Sequence, residues 1–143
     1  MPASDYLLDA CSLLAFFNDE KGADIISNLI DRAKHGEISL SMNAVNLIEV
    51  YYDRIRVTGA EDAADIIRKV YENSPIVIIE NLTPEIVREA AHFKAQGRMS
   101  FADTILVATA HCLNATIVTC DHVELKHVEE EENIPFLWIR PKF

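Results

Sequence analysis

"SFADTILVATAHCLNATIVTCD", residues 100–121, holds a helix and the strand that follows it. Ser100 and Asp103 match the capping-box pattern, with Asp103 in place of the usual Glu at the third helical position. Behind this cap, "TILVATAHC" is apolar on nearly every face, which implies a helix running through the interior rather than along a surface. "NATIVTCD" (114–121) is short, β-branched and apolar, and it ends in Asp121. It reads as a buried strand.

The same alternation extends in both directions. "YLLD" (6–9) is a short apolar run that also ends in an Asp, and "SLLAFFND" (12–19) predicts a turn or two of helix. Residues 22–36 predict a full helix, with Ile25, Ile26, Leu29, Ile30 and Ala33 at helical spacing and Gly36 as its stop. "EISLS" (37–41) fits a strand, and residues 43–56 and 60–73 two more helices joined tightly at Gly59. "PIVIIE" (75–80) predicts a buried strand. Thr83 caps and Pro84 opens a helix that Gly97 stops, and "PFLWI" (135–139) is a last strand. Short apolar strands separated by helices of this length indicate an α/β domain, with a largely parallel sheet and helices on both faces. At 143 residues, one domain over 1–143 is expected.

Composition narrows the class. Half the residues are apolar and a quarter are charged, which excludes a disordered chain. No apolar run approaches the roughly eighteen residues of a membrane span, and "MPASDYLLDACS" lacks the basic segment of a signal peptide. A soluble, cytoplasmic protein is expected, with no membrane partner. Cys11, Cys112 and Cys120 are odd in number and lack C-x-x-C spacing, so they read as core filler rather than a disulfide scaffold or a thiolate zinc site. The net charge of −10 argues against a generic nucleic-acid binder. That argument weakens where acids collect a cation, because a divalent ion inverts the local electrostatics. The block "EEEE" (129–132) reads as a solvated surface feature.

Ligand sites in parallel α/β sheets lie at the carboxyl ends of strands, where Asp9 and Asp121 stand. Each is open to two readings, a turn or cap residue and a ligand at the sheet edge. Glu49 sits among Leu47, Ile48, Val50, Tyr51 and Tyr52. Asn46 and Asp53 complete a narrow polar stripe with it, which either faces solvent or serves a partner such as a cation. Asp103 heads the interior helix, and capping does not preclude catalysis. Glu124 lies within reach of Asp121 if that segment is a turn. Like charges so clustered need a cation, and an all-oxygen set suits magnesium or manganese. Such ions activate water and stabilise phosphodiester cleavage. There is no Gly-rich phosphate loop and no H-E-x-x-H. His122 and His127, beside Asp121, are further candidates to touch substrate.

At these acids the chain resembles the PIN-domain nucleases, and among them the small VapC-like toxins of toxin–antitoxin pairs. "YLLDACSLLAFF" is similar to the first acidic motif of that family, "NLIEVYY" to the second, "MSFADTILVATA" to the third, and "TIVTCD" followed by "VEL" to the fourth. The resemblance implies a three-layer α/β/α fold and Mg²⁺- or Mn²⁺-dependent endonucleolytic cleavage of single-stranded RNA. It assigns Asp9, Glu49, Asp103 and Asp121 to the catalytic, metal-holding pocket, with Asp9 and Asp103 the most direct ligands and Glu124 an auxiliary. The family often has a polar residue two positions after the first Asp. Here it is Cys11, which leaves Ser12 or Thr119 to supply the hydroxyl. The resemblance further implies a homodimer, with residues 80–94 offering an apolar face, and a small antitoxin covering an apolar groove beside the site. Arg54, Arg56, Lys94, Arg98 and Lys126 are candidate contacts to the RNA backbone.

Three other readings compete. One is a PIN domain that scaffolds or matures RNA. Another is a receiver-like phosphotransfer domain, for which "SDYLLD" offers only a loose acidic pair and "FLWIRPKF" the wrong ending. The third is an α/β binding module whose acids are only caps and turns.

Overall fold

A computed structural model of the protein describes residues 4–142; the first three residues of the N-terminal stretch and Phe143 lie outside the described residues. Strands β1 (Ser4–Leu8), β2 (Ile38–Asn43), β3 (Val77–Ile79), β4 (Thr116–Thr119) and β5 (Phe136–Trp138) form one sheet. Their order is β3-β2-β1-β4-β5, and every pairing is parallel. From β1 the chain moves outward to β2 and β3, then returns to β1's other side for β4 and β5. This reversal opens a crevice between the carboxyl ends of β1 and β4, the position where such sheets bind ligands. The order also differs from the 2-1-3-4-5 arrangement of receiver-type sheets, so the receiver-like reading falls.

The helices are α1 (Ala10–Phe17), α2 (Ala23–Lys34), α3 (Ala44–Thr58), α4 (Ala60–Asn73), α5 (Pro84–Ala95), α6 (Phe101–Leu113) and α7 (His122–Glu131). Successive strand residues point to opposite faces. Leu8 and Val118 pack with Leu13, Ile26, Leu47 and Val50 of α1, α2 and α3, while Leu7 and Ile117 pack with Leu106, Val107 and Leu125 of α6 and α7. The result is the expected three-layer α/β/α arrangement. Helix α6 is the interior helix its sequence predicts, buried without a break from Thr104 to Ala110. Gly22, at φ 102°, is required where α2 begins, because a Cβ there would stand 2.7 Å from the Ile139 carbonyl oxygen.

Three expectations are corrected. Residues 75–80 supply only the three-residue β3, at the sheet edge, where Val77 is exposed rather than buried. Residues 122–131 form α7 rather than a turn. The acidic block ends that helix and is solvated as expected, with Glu130, Glu131 and Glu132 exposed, while Glu129 accepts from Trp138 Nε1 at 2.9 Å and Glu131 pairs with Arg98 at 2.7 Å. The cysteines are half-buried rather than core residues, and of the three Cys120 packs against the core.

Candidate active site

Asp9 follows the last residue of β1 and caps α1. Its Oδ1 accepts from the Ser12 amide at 2.9 Å, its Oδ2 accepts from the Thr119 hydroxyl, and Cys11 Sγ lies 3.3 Å from both oxygens. The residue is almost fully buried. Burial raises its carboxyl above the usual range, and the Thr119, Ser12 and Cys11 donors oppose that rise. Of the two hydroxyls expected here, that of Thr119 donates to Asp9 Oδ2, and Ser12 Oγ donates to the Val118 carbonyl at 2.7 Å.

Asp121 stands at the adjacent strand end, one residue beyond Cys120. It caps α7, accepting from the Glu124 amide at 3.1 Å, and its own amide donates to Thr119 Oγ1 at 3.0 Å. One threonine thus ties both strand-end acids together.

Glu49 enters from α3. Burial, then the Asp9 and Asp121 charges, raise its carboxyl above the ordinary range. Asn46, one turn earlier, is 1% exposed, and its Oδ1 has no hydrogen-bond partner among the described residues. The stripe read from the sequence splits: Asn46 and Glu49 face a pocket rather than solvent, and Asp53 is not part of its lining.

Asp103 lies in the first turn of α6, where its amide donates to Ser100 Oγ at 3.3 Å. A capping box would return the Ser100 amide to the carboxylate of Asp103. That amide donates instead to Glu124 Oε2 at 3.3 Å. Burial, then the charge of Asp9, push the Asp103 carboxyl up to about 7; Glu124 and Asp121 add to the rise, and a Ser100 hydrogen bond opposes it.

These side chains meet. Asp9, Cys11, Asn46, Glu49, Asp103, Asp121 and Glu124 line one pocket of ≈ 230 Å³ with Ala10 and Ser100, and among the described residues no basic one joins that lining. Burial first, and then repulsion among five carboxylates around so small a volume, are why Asp103 and Glu49 hold protons above the ordinary range. Five carboxylates and an unpartnered buried amide oxygen, with Cys11 the one sulfur in the lining, fit a hard divalent cation. Sequence reasoning noted Asn46 but did not assign it to the site. Its signal was the spacing of three residues before Glu49 in an otherwise apolar run.

The structure also holds a separate cluster of acidic and cysteine residues able to coordinate a divalent metal. Ligand atoms of Glu85, Glu89 and Cys112 all lie within 4.8 Å of one another. It shares no residue with the acidic pocket, and its Glu89 already accepts from His111 Nδ1 at 2.8 Å.

The basic candidates are mostly occupied. Arg54 is buried and donates to Asn18 Oδ1, so it is not a surface contact. Arg98 pairs with Glu131 and Lys126 with Glu129, while Lys94 Nζ donates to the Met99 carbonyl at 2.9 Å. Arg56 lies over the Tyr52 ring. His122 stacks on Trp138 and donates from Nε2 to the Arg140 carbonyl at 2.9 Å, which fixes it away from the pocket lining. His127 lines a different pocket with Phe93 and Arg98.

Residues 6–131 match the family model described as PIN domain. No curated protein matches the chain. Among solved structures, the chain is similar to VapBC-1 from nontypeable Haemophilus influenzae, with 18% identity over 94% of this chain and 98% of that one and a TM-score of 0.70. It is similar to VapBC2 from Rickettsia felis bound to a promoter DNA fragment, with 15% identity, coverage of 93% and 97%, and a TM-score of 0.70. A toxin–antitoxin complex from Klebsiella pneumoniae matches with 14% identity, coverage of 94% and 98%, and a TM-score of 0.67.

Proposed function

The chain belongs to the PIN-domain family, and from that premise we propose that it is a divalent-metal-dependent endoribonuclease, the toxin of a type II toxin–antitoxin pair. The observation that carries this reading is the convergence of Asp9, Glu49, Asp103 and Asp121 on one pocket without a basic residue in its lining. Asp9 and Asp103 would be the direct ligands of Mg²⁺ or Mn²⁺, Glu49 and Asp121 would complete the acidic shell, and Asn46 Oδ1 would add a neutral oxygen. A cation held there would supply Lewis-acid stabilisation of the phosphoryl oxygens and a more acidic water as nucleophile.

The chain's own residues prepare this chemistry. Thr119 and the Ser12 amide hold the Asp9 carboxylate in one orientation. Burial and the neighbouring acids favour the protonated Asp103 carboxyl without a cation, so a bound cation would displace that proton. Glu124, by accepting from the Ser100 amide, leaves the Asp103 carboxylate free of that capping bond. The buried length of α6 anchors its first turn against the sheet.

An apolar groove of ≈ 360 Å³ among α1, α2 and α4, lined by Leu13, Phe16, Phe17, Ile30 and Ile66, is the place for a small antitoxin. The similarity to the K. pneumoniae toxin–antitoxin complex supports such a partner, and the net charge of −10 suits a basic segment in it. A second apolar groove along α5 and α6, with Val87 53% and Phe101 65% exposed, supports a homodimer.

The test compares cleavage of single-stranded RNA by wild type, Asp9→Asn and Asp103→Asn, with Mn²⁺ and with chelator. Each variant should keep its circular dichroism spectrum and lose cleavage by on the order of 100-fold or more. Equal residual activity in all samples would overturn the reading.

A further inference from the structure

Two thiols stand beside the acidic pocket, and neither is among the ligands proposed for the cation. Cys11 lines it, and Cys120 immediately follows β4. Their sulfurs lie 2.6 Å apart. That is far inside the ~3.5–4.0 Å optimum of unbonded heavy atoms, and both are free thiols. The approach follows from the fold. β1 and β4 are paired in parallel with Leu8 opposite Val118, so the chain emerges from the sheet side by side at Cys11 and Cys120. The Cys120 amide also donates to Cys11 Sγ at 3.2 Å, which holds that sulfur toward Cys120. Cys112 lies apart from the pair, with Glu89 as its hydrogen-bond partner at 3.3 Å.

We propose that Cys11 and Cys120 are a site of reversible disulfide formation beside the acidic pocket, with a hydroperoxide as oxidant. One sulfur takes an oxygen atom from the hydroperoxide to become a sulfenic acid, releasing an alcohol, or water from hydrogen peroxide. The second thiol attacks that sulfur and gives up its proton, the S–S bond forms, and the sulfenic oxygen leaves as water. In sum two thiols lose two protons and two electrons, and one O–O bond is reduced. The reaction removes the Cys11 S–H from the Asp9 carboxylate and ties together the two chain passages that carry Asp9 and Asp121. Because the partners are 109 positions apart in sequence, the bond closes a long loop of the unfolded chain, the case in which a disulfide constrains that state most.

The experiment treats the full chain with hydrogen peroxide, caps remaining thiols with an alkylating agent and maps peptides by mass spectrometry. A Cys11–Cys120 linked peptide pair should appear, lighter by two hydrogens than the sum of its parts, with Cys112 alkylated. Dithiothreitol should reverse it. The oxidised protein should melt roughly 5–15 °C above the reduced one. Cys11→Ser and Cys120→Ser should each abolish both effects, and Cys112→Ser neither. Full alkylation of Cys11 and Cys120 after peroxide, a link to Cys112, or an unchanged melting temperature in the linked protein would overturn the proposal. Peptide mapping of wild type decides the link even where a variant fails to fold. None of these readouts uses RNA cleavage, so failure of the nuclease reading is distinguishable from failure here.

Discussion

The Ser100 amide donates to Glu124 Oε2 at 3.3 Å, across the gap from α6 to α7, and not to Asp103 one turn along its own helix. Capping duty at the head of α6 is thereby divided. Ser100 Oγ serves the Asp103 amide, Glu124 serves the Ser100 amide, and the Asp103 carboxylate turns to the pocket it shares with Asp9. A cap and a candidate metal ligand coexist because a residue from another helix relieves one of the two.

Glu124→Ala should therefore cost about 1 kcal/mol in urea unfolding, the usual size of a lost helix cap. Glu124→Gln keeps an acceptor for the Ser100 amide but removes one charge that raises the Asp103 carboxyl. An NMR titration should then place Asp103 below its value of about 7, while stability changes little.

Above the ordinary 4.5 of the glutamates, below which the lowered Glu89, Glu129 and Glu131 act the other way, the protein without metal should lose stability as pH rises. Asp103 binds its proton more tightly in the folded state (about 7) than at the ordinary 3.8. Between those values the native state holds more protons than the unfolded one, so unfolding free energy falls with increasing pH. The stability is present below pH ~4 and is lost as pH passes through about 7. Asp9 and Glu49 act in the same direction. Urea melts in chelator should show the decline, at most ~4 kcal/mol from Asp103. Asp103→Asn should flatten it.

Thr119→Val conserves shape and deletes the hydroxyl that donates to Asp9 and accepts from the Asp121 amide. Loss of a bond to a buried carboxylate should cost about 2–3 kcal/mol. The same change should raise the Asp9 proton affinity further, since Thr119 is the largest influence holding it down. Chemical denaturation and an NMR titration of the Asp9 carboxyl measure the two effects.

Asn46→Leu separates function from stability. The unpartnered, buried Oδ1 is a desolvation cost in the absence of a cation. Its removal should leave the metal-free protein as stable as wild type or about 1 kcal/mol more so. Mn²⁺ affinity, read by isothermal titration, should drop on the order of 10-fold.

Much of this architecture is local physics written along the chain. The seven consecutive buried residues of α6 are the apolar run "TILVATA", and the caps at Ser100 and Thr83 form as their side chains predict. The strand ends that present Asp9 and Asp121 follow from two short apolar runs between helices. Helix α7 escaped notice because its acidic, weakly amphipathic sequence carries little periodicity, and packing of Leu125 and Val128 against the α6 side of the sheet supplies what propensity does not. The brevity of β3 is likewise a matter of place: an edge strand with one neighbour gains less from extension than its β-branched sequence suggests.

Which acids are present, that two of them end strands and that one heads a helix with no polar face can be read along the chain. That Asn46 and Glu49 turn inward, that Thr119 bridges Asp9 and Asp121, that Glu124 takes the Ser100 amide and that Cys11 meets Cys120 come from packing alone. The reason is distance along the chain. Caps and periodicity act over three or four residues, whereas these contacts join β1, α3, α6, β4 and α7. Such pairings arise only once the sheet order sets the carboxyl ends of β1 and β4 side by side.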